Sequence, residues 1–325
     1  MVGLFFDTIG ELPSIAFLDY FPRPPYEREG AVVELRNSAL NHRDLWIIKG
    51  NYANIITNCI LGSDGCGVFE GRDVVIQPGL NWGSNEAFQS KDFRVLGMPD
   101  WGTFAEYIEI DQKYIYPKPL HLDYVQGAAL PLAGLTAYRS LVRKCQPQKG
   151  DKVLITGIGG GVALFAMQFA LALGCEVYVT SGSHDKIQKA RKLGAVDGAN
   201  YKENDWDIRL KEMAGGFDVV IDSAGGDGFS KLISLCNPGA RVCFYGGTAG
   251  KINHLSPQII FWKQITIFGS TMGSDKDFAD MLQLVNDHKI TPVVDSVFKL
   301  SEFDKAIQRM ENAEQFGKIV MDNNE

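Results

Sequence analysis

"VLITGIGGGVALFAMQFA", Val153 to Ala170, decides the fold. It joins a short apolar strand to a long apolar helix through glycines at Gly157, Gly160 and Gly161, with Val162 entering the helix. A dinucleotide needs that placement. The turn must be tight, the backbone must lie against a pyrophosphate, and the free N–H groups of the helix N-terminus must point at the phosphates. Read as G-x-x-G-x-x-A, the positions are Gly157, Gly160 and Ala163; Ala is tolerated where only close helix–strand packing is required. A glycine-rich run alone is a weak signal. The flanking strand and helix, and a second strand "CEVYVT" at the right distance, make it strong. A glycine connection with no ligand explains less of this pattern.

The same rhythm continues outward. "FDVVIDSAGG", "ARVCFYGG" and "ITIFGSTM" are further apolar strands with helical segments between several of them. Near-continuous apolar strands alternating with helices predict a parallel sheet covered on both faces. Upstream the chain is β-like: "AVVELRNSAL" and "GTFAEYIEI" carry strand residues, and "GCGVFEGRDVVIQPG" reads as two strands joined by a very tight turn near Gly71. A helical pattern starts after Asp123, and the tail from Asp295 returns to strand–helix–strand. The fold class is α/β, a Rossmann-type doubly wound parallel sheet beside a β-rich domain. The expected divisions are 1–121 with 287–325, and 122–286.

With 325 residues the chain is long enough for two domains. Its net charge of −7 argues against nucleic-acid or anionic-membrane partners, which need surplus Lys and Arg. The longest apolar stretch, Val162 to Leu173, is too short to span a bilayer. The N-terminus has no basic segment of the kind that opens a signal peptide. Six cysteines form no C-x-x-C pair and no disulfide framework, so the expected location is the reducing cytoplasm.

The end of the second strand bears on the cofactor. An NAD-preferring site keeps Asp or Glu there, about 20 residues past the glycines, to hold the ribose 2′-OH. Here the position is Ser181, with Lys186 and Tyr201 following. A hydroxyl and an ammonium accept a 2′-phosphate that a carboxylate would repel, so the expected cofactor is NADP(H). Lys186 read as an ordinary solvated residue, and Tyr201 as a half-buried loop residue, are the plainer alternatives.

With "NHRDLW", "ILGSDGCG", "GTFAEY", "LTAYRSL", the glycine loop and "FGKIVM", the chain resembles the medium-chain dehydrogenase/reductases over nearly its whole length. Within them it is similar to the zinc-free quinone oxidoreductases and the alcohol-dehydrogenase-like proteins. The resemblance implies a GroES-like β-barrel core in the N-terminal domain, a coenzyme domain, an active site in the cleft between them, and a homodimer through the edge strand "ITIFGSTM". In zinc-dependent members a Cys, a His and a second Cys hold the metal; those positions fall on Asn41, Ser63 and near Leu132. No bound metal is therefore expected.

The resemblance also assigns residues. Asn41 is expected to donate near the nicotinamide or the substrate oxygen, and Tyr52 to the substrate oxygen. Asp44 organises the loop or caps its helix, and His42 is a secondary candidate for a ribose contact or proton path. Thr136 touches the nicotinamide ribose or amide, Gly246 and Ser270 sit at strand ends facing the cofactor, and Lys318 reaches a cofactor phosphate. The expected activity is NADPH-dependent, zinc-independent hydride transfer to a small molecule, a quinone or an α,β-unsaturated carbonyl. The alternatives are an alcohol or aldehyde dehydrogenase, and an NADPH-binding protein with little turnover.

Overall fold

The structure is a computed structural model that describes residues 1–10, 15–18 and 30–324. It divides into two compact units, Met1–Leu135 with Gly273–Glu325, and Thr136–Met272.

The second unit holds a six-stranded parallel sheet. Its order is Asp197–Asn200, Glu176–Ser181, Lys152–Ile155, Phe217–Asp222, Cys236–Phe244 and Thr266–Gly269. In chain order this is 3-2-1-4-5-6, the doubly wound arrangement with its switch point between the first and fourth strands. Val153, Leu154 and Ile155 are all fully buried, because helices cover both faces of a parallel sheet. The helix Gly161–Ala172 is apolar almost all round for the same reason: Ala163, Leu164, Phe165, Ala166, Met167, Phe169 and Ala170 are buried. Gly174, at φ +78°, takes the left-handed conformation that closes it.

In the first unit the strand Ala31–Ala39 is central, pairing with Asp64–Phe69, Tyr107–Ile110 and Lys318–Asp322. Residues Glu70 and Gly71 join Asp64–Phe69 to Arg72–Ile76 with φ +47° and +73°. Two left-handed residues make the two-residue hairpin turn whose twist matches its strands, so the tight turn expected near Gly71 is present. Two registers then position a site. Ala39 faces Asp64 on one side and Val320 on the other, antiparallel in both cases. Continuing the second ladder brings Lys318 against Asn41.

The division of the chain differs from the expected 121/122 and 286/287. The helix Asp275–His288 belongs to the first unit, its buried face formed by Phe278, Met281, Leu282 and Val285. Tyr116 packs on Phe278 with ring centroids 4.9 Å apart, and Gln77 donates to Asp275 Oδ1 at 2.7 Å. The start of the helix Pro131–Tyr138 is tied there too, through Leu132 N to Asp64 Oδ1 at 2.7 Å. Strand rhythm marked the sheet, but the partners of the amphipathic helices set the boundary.

Candidate active site

Asn41 precedes the helix His42–Ile48 with extended backbone. Its own N–H donates to Asp44 Oδ2 at 2.8 Å, which is the role expected of Asp44 at a helix start. The Asn41 side chain is thereby left for another task. Its Nδ2 donates to Asp64 Oδ2 at 2.9 Å, and its Oδ1 accepts from Lys318 Nζ at 2.7 Å. Lys318 donates also to Leu40 O at 2.7 Å and to Asp64 Oδ2 at 2.8 Å. An ammonium has three N–H groups, and each has an acceptor here. Lys318 is 4% exposed and Asp64 0%. The phosphate contact implied for Lys318 is therefore corrected: its charge is turned inward, onto Asn41 and Asp64.

A second cation adjoins this cluster. Arg43 Nη1 donates to Ser63 Oγ and to Leu96 O, both at 2.8 Å, and the guanidinium lies 5.3 Å from the centroid of the half-exposed Tyr52 ring. Burial pushes the Asp44 carboxyl up to about 6, with Arg43, the Asn41 N–H and Lys318 opposing that rise. The Asp44 Oδ1 atom is buried without a hydrogen-bond partner. His42 reaches solvent, and its pKa is lowered by the protein packed about it and then by the Lys318 charge. Among the described residues no three His, Cys, Asp or Glu side chains converge to hold a metal.

In the second unit the glycine loop has the freedom the sequence suggests. Gly157 and Gly159 sit at φ +68° and +110°, and Gly160 precedes the helix Gly161–Ala172. A Cβ at Gly160 would meet nothing nearer than Gly157 O at 3.6 Å, so another group can approach the backbone there. Beneath the loop, Thr156 donates to Asp222 Oδ1 at 2.6 Å, and Gly225 N donates to Asp222 Oδ2 at 2.7 Å. This ties the loop to the turn of the adjacent strand. At Gly246 a Cβ would stand 2.4 Å from Ser223 O, which admits only glycine.

Other expected cofactor residues lie in the same unit. Lys186 lies against it, its Cδ 2.8 Å from where a Gly159 Cβ would be. Ser181 ends its strand buried, taking Ser183 N at 3.3 Å. Tyr201 Oη and Lys202 Cε both come within 2.8 Å of a Cβ built at Gly182, so Tyr201 and Lys202 flank the same turn. Ser270 Oγ is buried with no hydrogen-bond partner. Thr136 is buried and passes its carbonyl to Ser140 Oγ at 2.7 Å.

Comparison with known proteins finds two family domains, whose limits differ from those of the compact units. Residues 27–120 match the alcohol dehydrogenase GroES-like domain, and residues 161–287 the zinc-binding dehydrogenase domain. The zinc-type alcohol dehydrogenase-like protein YogA of Leptosphaeria maculans is 32% identical over 336 residues, 94% of either chain. The chain belongs to the medium-chain dehydrogenase/reductase superfamily. Human quinone oxidoreductase, another relative, is 27% identical over 89% of this chain and 88% of its own. A crystal structure of an NAD-dependent alcohol dehydrogenase superposes with TM-score 0.92 at 32% identity, covering 99% of each chain. The quinone oxidoreductase of Thermus thermophilus, at 22% identity and TM-score 0.82, shares the fold.

As a member of this superfamily the protein is an oxidoreductase. The structure gathers Asn41, His42, Asp44 and Lys318 in the first unit, and Gly157, Gly160, Gly161, Val162, Ser181, Lys186 and Tyr201 about the glycine loop of the second. Reading the sequence missed Asp64, Arg43 and Lys202. Asp64 stood in "LGSDG" beside Ser63, and Arg43 inside "NHRDLW", so both were in quoted motifs without a role.

Proposed function

We propose that this oxidoreductase is an NADPH-dependent, zinc-independent reductase of quinones or α,β-unsaturated carbonyls. The observation that carries this is the donor set at the superfamily's metal positions. Asn41, Ser63 and Leu132 offer neither thiolate nor imidazole, and the Asn41 carbonyl already accepts from an ammonium. That set does not fit a catalytic zinc. An acceptor already poor in electrons needs no Lewis acid, only positioned donors for the charge that develops on its oxygen.

The glycine loop fits a dinucleotide: its backbone is open at Gly160 and leads into unpaired N–H groups at the helix start. Gly160, Gly161 and Val162 would hold the pyrophosphate. Ser181, Lys186, Lys202 and Tyr201 would hold a 2′-phosphate. Ser270 Oγ, buried and unpaired, together with Thr136 and Gly246, would serve the nicotinamide side. NADPH, when bound, supplies a hydride. Asn41 keeps its amide fixed between Lys318 and Asp64, so that this corner of the site does not have to reorganise.

The NAD-dependent alcohol dehydrogenase likeness favours a second reading, an alcohol or aldehyde oxidoreductase. An acceptor panel separates the two: NADPH consumption with aldehydes but not with enones or quinones would overturn the proposal. Cofactor choice is tested by Ser181→Asp. A carboxylate near a 2′-phosphate should lower kcat/KM for NADPH about 100-fold, the effect of about 3 kcal/mol of like-charge repulsion, while NADH use rises. Equal use of both cofactors by the unaltered enzyme would defeat that assignment.

The strand Thr266–Gly269 is the edge of its sheet and supports the homodimer reading. Size-exclusion chromatography with light scattering should then give about twice the 35.8 kDa chain mass. All six cysteines are free and buried, which supports a reducing location.

A further inference from the structure

We propose that the Arg43 guanidinium binds a planar oxyanion: a carboxylate, enolate or phenolate oxygen of the acceptor. This deepens the reductase reading by naming the cation that meets the acceptor's oxygen. It rests on a count of donors. A guanidinium has five N–H groups. Nη1 uses both of its own, on Ser63 Oγ and Leu96 O at 2.8 Å. Nη2 makes one long contact, to Met98 O at 3.5 Å. Nε is buried and has no partner. The Nε–H and one Nη2–H thus remain, and Nε and Nη2 share the edge of the fork that grips a carboxylate in bidentate pairs.

A buried charged donor without an acceptor is costly, and a ligand oxygen brought to it would supply the missing acceptor. Lys318, the other cation of the cluster, gives all three N–H groups to protein atoms. Arg43 does not. Its guanidinium sits on Ser63, which stands where zinc-dependent members of the superfamily keep a metal ligand, and it follows Asn41, which stands at another. Beside it the Tyr52 ring, 5.3 Å away and 38% exposed, offers a flat apolar face, and Ile56, 49% exposed, lies by Met98 through Ile56 N to Met98 Sδ at 3.4 Å. A cationic edge beside an aromatic face suits a ring or conjugated chain that carries one oxyanion.

The probe is 4-nitrophenol, added to the full chain with and without NADP+ and followed by the absorbance of its phenolate. Arg43 should favour the ionised form, so the apparent pKa of the bound probe falls below its value in buffer. Arg43→Gln should weaken phenolate binding about tenfold or more while leaving binding of the neutral phenol unchanged. Arg43→Lys keeps the charge but not the fork and should fall between. Guanidinium ion added to Arg43→Ala should restore the shift. If Arg43→Gln does not fold because Leu96 and Met98 lose their anchor, the Lys variant and the guanidinium rescue carry the test. Equal affinity of the unaltered protein for phenol and phenolate, or an unchanged shift in the variants, would overturn the proposal. The probe reads no turnover, so an enzyme inactive on every enone and quinone that still ionises it would sink the reductase reading and leave this one standing.

Discussion

Replacing Lys318 by Met should lower the unfolding free energy by about 3–5 kcal/mol, since removing one partner of a buried ion pair leaves the other charge uncompensated. Asp64 is fully buried, and its Oδ2 takes the ammonium at 2.8 Å while Oδ1 takes Leu132 N at 2.7 Å. Asn41 Oδ1 and Leu40 O would also lose their donor. Urea denaturation of the variant checks this directly. Lys318→Met combined with Asp64→Asn should be less harmful than the sum of the two changes, with a coupling of about 1–3 kcal/mol, because the second change removes the stranded charge. A loss below about 1 kcal/mol, the worth of an exposed pair, would show that Lys318 and Asp64 are not joined as described. The change reaches function as well: an Asn41 amide released from its two partners should lower kcat more than it alters cofactor affinity.

The second large effect concerns pH. Asp44 is fully buried, and its folded-state pKa of about 6 lies above its ordinary value of 3.8. A carboxyl raised in this way binds its proton more tightly in the folded state. Between the two values the folded chain holds more protons than the unfolded one, so stability falls as pH rises. The contribution is fully present below pH 3.8 and is lost as pH passes through about 6. The whole loss, complete at neutral pH, amounts to about 3 kcal/mol. Other carboxyls pull the opposite way, among them Asp295, which Arg309 and the Phe316 N–H hold below the usual range against its burial. The clean measurement is therefore a difference. Unfolding free energies of the unaltered protein and Asp44→Asn, taken from pH 4 to pH 7, should diverge, the unaltered protein losing about 2.4 kcal/mol relative to the variant. Parallel curves would mean that Asp44 is ionised in the fold without penalty.

Features legible in the sequence are those set by neighbours along the chain. The glycine loop is one, because the φ values at Gly157 and Gly159 are permitted to glycine whatever packs around them. The hairpin at Glu70 and Gly71 and the helix start at Asp123, whose carboxylate takes Gln126 N at 2.7 Å, are others. The alternation of apolar strands with helices implied a parallel sheet, because such strands have no polar face to show to water. The identity of Ser181 was likewise readable, since the strand that ends there is local.

The cluster about Asn41 was not legible in the same way. Lys318 lies 254 positions from Asp64 along the chain. Only the two antiparallel registers through Ala39 bring them together, and a lysine in "FGKIVM" carries no mark of where its ammonium points. Arg43 reads as one charge among others until the acceptors at Ser63, Leu96 and Met98 are counted and its Nε is found without one. The domain boundary moved for a related reason: the helix Asp275–His288 shows an apolar face, but the face does not say which sheet it meets. By itself the sequence determined the doubly wound sheet and the glycine loop, each carried by residue type and short-range geometry. The tertiary structure decided where Lys318 and Arg43 stand about Asn41 and Ser63, because only long-range strand pairing fixes which charges share a buried space.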